Sequence, residues 1–168
     1  INDGEADDII GYITKNLIKE DNRCVIVSSD KDLYQLLSKN IVQWSPGQKK
    51  FINMKDVLEK FGISCENFCT ARCFIGDSAD GIKGVRLAGF SSMAKRFPEL
   101  ASSNFVSVEE IVRKSEDLMK SSKLKLYKNI VDEKQQVTTN WKIMYLGTSN
   151  LAHNQIEKIK FCFENIDF

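Results

Sequence analysis

The chain has no apolar run long enough to cross a bilayer, which excludes a membrane-spanning helix. It has no signal-peptide pattern and no initiator Met. An acidic start of helical character without Met leads us to expect a fragment or a processed chain, with a cytoplasmic location by default. There is one histidine, His153, and no Cys-x-x-Cys pair, which removes the usual ligand spacings of structural zinc. Net charge is only +1, so no global basic field advertises nucleic acid. Internal repeats and low-complexity tracts are also missing.

What is present is the composition of an ordinary globular protein, 42% apolar and 28% charged over 168 residues. That length suits one domain or two small ones with a real core. Charge is unevenly placed. Acidic pairs occupy three short motifs before residue 81, whereas basic residues prevail from Lys83 onward through Arg86, Lys95, Arg96, Arg113 and Lys114. Of five cysteines, Cys65, Cys69 and Cys73 recur every four residues, which on a helix forms one stripe. Free cysteine behaves as a small apolar residue, so this stripe is expected to be core and to hold no zinc.

The spacing of Ile9, Ile10, Ile13, Leu17 and Ile18 predicts a helix over 5–20. Cys24-Val25-Ile26-Val27, running into Ser28-Ser29-Asp30, predicts a buried parallel strand with a loop at its carboxyl end. A second helix is expected from Asp30 or Lys31 to about Lys39. Ile41–Trp44 reads as the next strand, stopped by Ser45-Pro46-Gly47, with Lys50-Phe51-Ile52 as a short hairpin partner. Helices are expected at 54–61, 65–75, 91–97, 107–121, 122–133 and 154–163, and strand character at Trp141–Leu146. Strand–helix alternation in the first third argues for an α/β parallel sheet, and the helical middle for an appended module.

Three acidic motifs carry the chemistry. Gly4-Glu5-Ala6-Asp7-Asp8 opens a helix, where carboxylates suit the N-terminal dipole, yet one such group is enough for a cap. Asp30 and Asp32 follow the first strand, at the strand end where open α/β sheets build their sites. Asp77 and Asp80 stand three apart in Gly76-Asp77-Ser78-Ala79-Asp80-Gly81, on one face if that turn is helical. Seven carboxylates brought together without counter-ions would repel one another, so convergence on one crevice implies divalent cations. An oxygen-only donor set favours magnesium or manganese over zinc, and two such ions are the usual equipment for in-line phosphodiester hydrolysis. A fourth motif, Gly81 to Ala94, reads as a glycine-bounded hairpin leading into a helix with Ser91 and Ser92 at its start. Exposed backbone N–H groups there suit phosphate, or the serines are simply caps.

Taken in this order, GEADD, SSDKDLYQLL and GDSADGIKGVRLAGFSSMA resemble the GxEADD, SxDxDLxQL and GDSSDNIPGVPGIGxKTA signatures of the 5′ nuclease family. That family comprises 5′-exonuclease domains of bacterial polymerases, phage 5′-exonucleases and flap endonucleases. Gln43-Trp44-Ser45-Pro46 with Lys49-Lys50-Phe51 is similar to its T-even-like phage ribonuclease H branch. The resemblance spans about residues 3–97.

It implies a PIN-like three-layer α/β sheet with a helix-three-turn-helix module. It implies metal-dependent cleavage at 5′ ends or flaps of DNA or RNA–DNA hybrids, as in primer removal during phage replication, in the host cytoplasm if phage-encoded. Glu5, Asp7, Asp8, Asp30 and Asp32 would hold a first Mg2+ or Mn2+ ion, and Asp77 and Asp80, with Asp32 nearby, a second. Lys83, Gly84, Arg86, Gly89, Ser91, Ser92 and Lys95 would contact duplex phosphates, and carbonyls of Gly84, Val85 and Ala88 a potassium ion. The expected division is 1–66 nuclease core, 67–135 helix-three-turn-helix and following helices, and 136–168 a strand and helix returning to the core.

Gly81 stands where the family carries Asn, Leu87-Ala88-Gly89 where it carries Gly-Ile-Gly, and Ser91-Ser92 where it carries Lys-Thr. The family's first metal-binding strand and threading arch do not precede Gly4. The chain on its own is therefore expected to cleave poorly. A second expectation is a non-catalytic duplex-binding subunit completed by a separate polypeptide. A third, an unrelated magnesium phosphatase or glycosyltransferase using Asp30-Lys31-Asp32, leaves the other motifs unexplained.

Overall fold

The computed structural model describes residues 5–147 and 150–165. In chain order the elements are α1 (Ala6–Asn16), β1 (Cys24–Val27), a 3₁₀ turn (Asp32–Leu36), β2 (Ile41–Ser45), β3 (Lys50–Ile52), α2 (Met54–Phe61), α3 (Phe68–Ile75), α4 (Phe90–Arg96), a 3₁₀ turn (Pro98–Ala101), α5 (Val108–Met119), α6 (Lys125–Asp132), α7 (Lys134–Met144) and α8 (His153–Glu164). They form two compact units, Ile1–Asn53 with Leu146–Phe168, and Met54–Tyr145. The sequence-based boundaries after 66 and 135 both fall inside the second unit.

In the first unit β1 and β2 run parallel, with Cys24 opposite Ile41 and Val27 opposite Trp44. β3 returns antiparallel, Trp44 opposite Phe51. Strand side chains alternate between faces, so Ile26, Gln43 and Ile52 form one buried row across the sheet. The other face carries Val25, Val27 and Phe51, all exposed. β1 is therefore not the fully buried strand its apolar run suggests, because Val25 and Val27 face outward and only Ile26 is fully buried. α1 is shorter than expected and ends at Asn16, whose side chain donates to the Tyr12 carbonyl. Its apolar stripe meets the C-terminal segment, with Tyr12, Leu151 and Ile159 as a buried cluster flanked by Ile9 and Ile13.

The expected helix at 30–39 is only the five-residue 3₁₀ turn Asp32–Leu36. Asp30 spends its carboxylate on the Asp32 N–H at 2.8 Å, an Asx turn that starts the coil two residues late. Leu37 is already extended, which ends it.

In the second unit α3 is buried from Phe68 through Phe74, and α7 packs on it. The cysteine stripe behaves as core: Cys65, Cys69 and Cys73 are all buried, and burial followed by the Glu66 charge pushes the Cys65 thiol up to about 12. Phe61, Phe68 and Phe90 interlock with ring centroids 4.5 to 5.4 Å apart, a geometry worth about 0.5–1.5 kcal/mol per pair beyond area burial. Ser107 and Glu110 cap α5 reciprocally at 3.2 and 2.7 Å. The strand character read at Trp141–Leu146 is corrected: Trp141 to Met144 is the last turn of α7. Buried Val137, Asn140 and Met144 sit at helical spacing, and their burial overrides the local β preference of the aromatic and branched residues.

Candidate functional site

β1 ends in a loop pinned from several directions. The Ser28 N–H donates to the Trp44 carbonyl at 3.0 Å, continuing the parallel ladder by one residue. The Asp30 N–H then donates to the Ser28 hydroxyl at 3.0 Å, and the Asp32 N–H to Asp30 Oδ1 at 2.8 Å. These local bonds reverse the chain and leave Asp30 exposed and Asp32 half-buried at the carboxyl end of the strand. Buried Gln43 of β2 donates to the Ser28 and Asp30 carbonyls, each at 2.8 Å. The Ser29 hydroxyl accepts the Gly47 N–H at 3.2 Å, tying the loop to the turn after β2.

The start of α1 brings its own acids to this place. Glu5 occupies the N-cap without a side-chain cap bond and is exposed, and Asp7 and Asp8 fill the first turn. Gly4 lies outside the described residues. Asp8 Oδ1 accepts from the Asn150 amide at 3.0 Å. Half-buried Asp7 is pushed above the ordinary carboxylate range, first by burial, then by the charges of Asp30 and Asp32, and then by Glu5 and Asp8. Acids from α1 and from the β1 loop thus share one electrostatic neighbourhood inside the first unit. An oxygen-only set of mutually repelling carboxylates suits a hard divalent cation, so the residues present fit such an ion.

The second acidic pair is built differently. α3 runs into Gly76, whose φ of +77° favours glycine. A Cβ there would lie 2.3 Å from the Gly84 nitrogen, and one on Gly84 would lie 1.9 Å from the Ile75 carbonyl oxygen. The two glycines let the chain pass back over itself. Asp77 and Ile82 exchange both backbone hydrogen bonds at 2.8 and 2.7 Å. Asp77 and Asp80 therefore sit on a tight antiparallel loop and not on a helical turn, and the loop still brings a carboxylate oxygen of each within 4.8 Å of the other. Arg72, buried at the end of α3, donates to the Gly76 carbonyl at 2.8 Å and ion-pairs with Asp77 Oδ2. Asp77 Oδ1 accepts the Ala79 N–H at 2.9 Å. Burial opposes ionisation of Asp77, but the Ala79 N–H and the Arg72 guanidinium outweigh it and hold the carboxyl below its ordinary value. Asp80 is exposed.

Beyond this loop the hairpin carries Lys83 and Arg86, both exposed. Its backbone is held from α6 and α7: Asn129 donates to the Arg86 carbonyl, and buried Asn140 to the Cys73 and Lys83 carbonyls, all at 2.8 Å. Leu87 adopts φ +73° while remaining exposed. The Val85 carbonyl accepts the Ala88 N–H at 3.0 Å, which occupies one lone pair of a proposed potassium ligand. Gly89 is the extended N-cap of α4, and the Ser92 hydroxyl accepts its N–H at 2.8 Å. Ser92 is thus a capping serine, while Ser91 and Lys95 face solvent.

Gln43, Arg72, Asn129 and Asn140 each act on these loops in a way that the motifs did not disclose. The signal for Gln43 was available: it falls in the inward phase of a strand, where a polar residue needs a reason. Arg72 lies among apolar neighbours in α3, which is a weaker version of the same signal.

Residues 1–62 match the family model described as the 5′-3′ exonuclease N-terminal resolvase-like domain. Flap endonuclease Xni of Psychromonas ingrahamii is 33% identical over 100 residues, 60% of this chain and 38% of that protein. A 5′-3′ exonuclease of Buchnera aphidicola from Acyrthosiphon pisum is 32% identical over 126 residues, 75% of this chain and 42% of that protein. The chain thus spans about two fifths of each of these relatives. Among solved structures, the 5′-exonuclease of T5 superposes with a TM-score of 0.79 at 22% identity, over 95% of this chain and 65% of that one. The bacteriophage T5 flap endonuclease, in a pseudo-enzyme-product complex with DNA and metal ions, superposes with the same score at 21% identity, over 95% and 59%. The fold is accordingly PIN-like. No comparison supports a separate polypeptide partner. Residues 1–62 thus match the 5′-3′ exonuclease family model, and the relatives and solved structures that this chain resembles are 5′-3′ exonucleases and flap endonucleases.

Proposed function

We propose that the protein carrying this chain is a divalent-metal-dependent 5′-3′ exonuclease or flap endonuclease acting on DNA or RNA–DNA duplexes, with primer removal in replication as its setting. The observation that carries this reading is the burden on Asp7, which burial and the charges of Asp30 and Asp32 together push up. A cation among these carboxylates relieves that repulsion. Glu5, Asp7, Asp8, Asp30 and Asp32 hold the first ion, and Asp77 and Asp80 the second. Magnesium or manganese suits the oxygen donors. When bound, two such ions supply charge neutralisation for in-line displacement at phosphorus. The chain's carboxylates hold the ions and do not attack. Arg72 already neutralises Asp77 in part, so the second set is the weaker of the two.

Duplex phosphates are gripped by Lys83, Arg86 and Lys95, by the hairpin backbone at Gly84 and Gly89, and by Ser91 and Ser92. The carbonyls of Gly84, Val85 and Ala88 hold a potassium ion beside them. Phosphate contacts position the duplex without reading sequence.

A 5′-flapped duplex labelled at its end tests the reading. Cleavage by the protein should vanish in EDTA and return with magnesium. Asp30→Asn should lower the rate by about a hundredfold or more while duplex affinity stays within twofold. Undiminished magnesium-dependent cleavage in Asp30→Asn would contradict it.

A further inference from the structure

We infer that Gln43 is a positioning residue for the first ion: its side-chain amide fixes the Ser28–Asp30 turn so that Asp30 is presented in one geometry. The inference rests on the reading of Asp30 as a metal ligand.

Gln43 is fully buried in the middle strand of the sheet, in the row between Ile26 and Ile52. An apolar side chain would suit that row better. The residue's two amide protons are both used, on the Ser28 and Asp30 carbonyls at 2.8 Å each. Two carbonyl acceptors also decide the orientation of the amide, because only the NH2 group can satisfy them. Gln43 Oε1 is then left buried without a hydrogen-bond partner among the described residues. An orphaned buried acceptor is destabilising by about 1–3 kcal/mol, so the placement of this side chain is poor for the core taken alone.

The amide spans the turn that carries the ligand. It grips the chain at Ser28, where the β1 ladder ends, and at Asp30 itself. Between these two points the Asp30 N–H is held by the Ser28 hydroxyl, and Asp30 Oδ1 by the Asp32 N–H. Backbone and carboxylate of Asp30 are thus fixed together, and Gln43 anchors this turn from inside the sheet core, beside buried Ser45, whose hydroxyl lies 3.4 Å from that of Ser29. Groups that orient a ligand from behind commonly change metal affinity ten- to a hundredfold when removed.

The test uses Mn2+ alone as probe, titrated calorimetrically into the protein, its Gln43→Met variant and its Asp30→Asn variant. Methionine keeps the volume and shape of glutamine and removes both donors. Gln43→Met should weaken Mn2+ binding about ten- to a hundredfold with its melting temperature close to that of the parent. If Asp30→Asn loses Mn2+ affinity and Gln43→Met does not, Gln43 is only a core residue and the inference is overturned while the metal reading stands. If Asp30→Asn binds Mn2+ as the parent does, the metal reading fails and takes the inference with it. A second measurement needs no folded variant. In the unsubstituted protein, the Gln43 side-chain amide protons should exchange slowly and shift with added Mg2+ over the same range as the Asp30 N–H. Amide protons that exchange freely, or that stay put while Asp30 responds, overturn the inference.

Discussion

Two aspartates in this chain solve the same problem in opposite ways. Asp7 sits among other carboxylates and is pushed up, whereas Asp77 has a guanidinium and a backbone N–H and is held down. A carboxyl whose folded value is lowered contributes stability above its unfolded value, and that contribution is lost as pH falls through the folded value. The Asp77–Arg72 pair should therefore stabilise metal-free protein above the ordinary 3.8 and lose its effect below it. Arg72→Met should flatten the acid end of the stability–pH curve measured by denaturant unfolding in EDTA. An unchanged curve would show that the pair contributes nothing. The aspartates themselves were legible in the sequence as spaced acidic motifs. Arg72 was not, because a pattern of apolar neighbours does not tell which loop carbonyl and carboxylate a buried guanidinium will reach. Leu87 is a further residue-scale case. A left-handed non-glycine backbone costs roughly 1–2 kcal/mol, and glycine's extra freedom in the unfolded chain offsets about 0.5–1 kcal/mol of what is regained. Since Leu87 is exposed, Leu87→Gly should raise unfolding stability by about 0.5–1 kcal/mol, read from the urea midpoint.

Among the elements, the short strands and the loops that follow them were readable because they are punctuated. Cys24–Val27 stops at serines and Asp30, and Ile41–Ser45 stops at Pro46-Gly47. Helices that bury one regular stripe, such as α2 and α8, also announced themselves. The failures have physical causes. Trp141–Met144 has the branched and aromatic residues of a strand, but Asn140 draws the segment into α7 by bonding two carbonyls of α3 and the hairpin. The helix expected from Asp30 shrank to a 3₁₀ turn because the chain is already extended at Leu37, which ends the coil after five residues. The hairpin between Asp77 and α4 is the element on which duplex binding is proposed to depend. Replacing both Lys83 and Arg86 by Ala should weaken binding to duplexes of unrelated sequence by the same factor. If each contacts one phosphate, the slope of log affinity against log salt should fall by about 2. Sequence-dependent losses, or an unaltered slope, would put the duplex on another surface.

At the scale of the molecule, family likeness and site chemistry rest on different supports. The PIN-like fold follows from the superposition on T5 5′-exonuclease at a TM-score of 0.79, and the likeness to 5′-3′ exonucleases also from the family model over residues 1–62 and from the relatives. The candidate metal centre rests on how this chain folds locally: acids from the start of α1 and from the end of β1 act on one another within the first unit, while a second acidic loop is built in the other unit between two glycines that no Cβ could replace. The acidic motifs were readable without a structure. The polar side chain that anchors one of their loops from inside the sheet showed only as a polar residue in the inward phase of a strand, without the carbonyls it reaches. The central claim is that the acids around Asp30 are a divalent-ion centre. The direct measurement is a crystal grown with Mn2+, with diffraction recorded on either side of the manganese absorption edge. The account requires an anomalous peak in direct coordination with Asp30 and at least one of Asp7 and Asp32, absent from Asp30→Asn crystals. Manganese peaks confined to other surfaces, with these carboxylates unliganded at saturating ion, would contradict it.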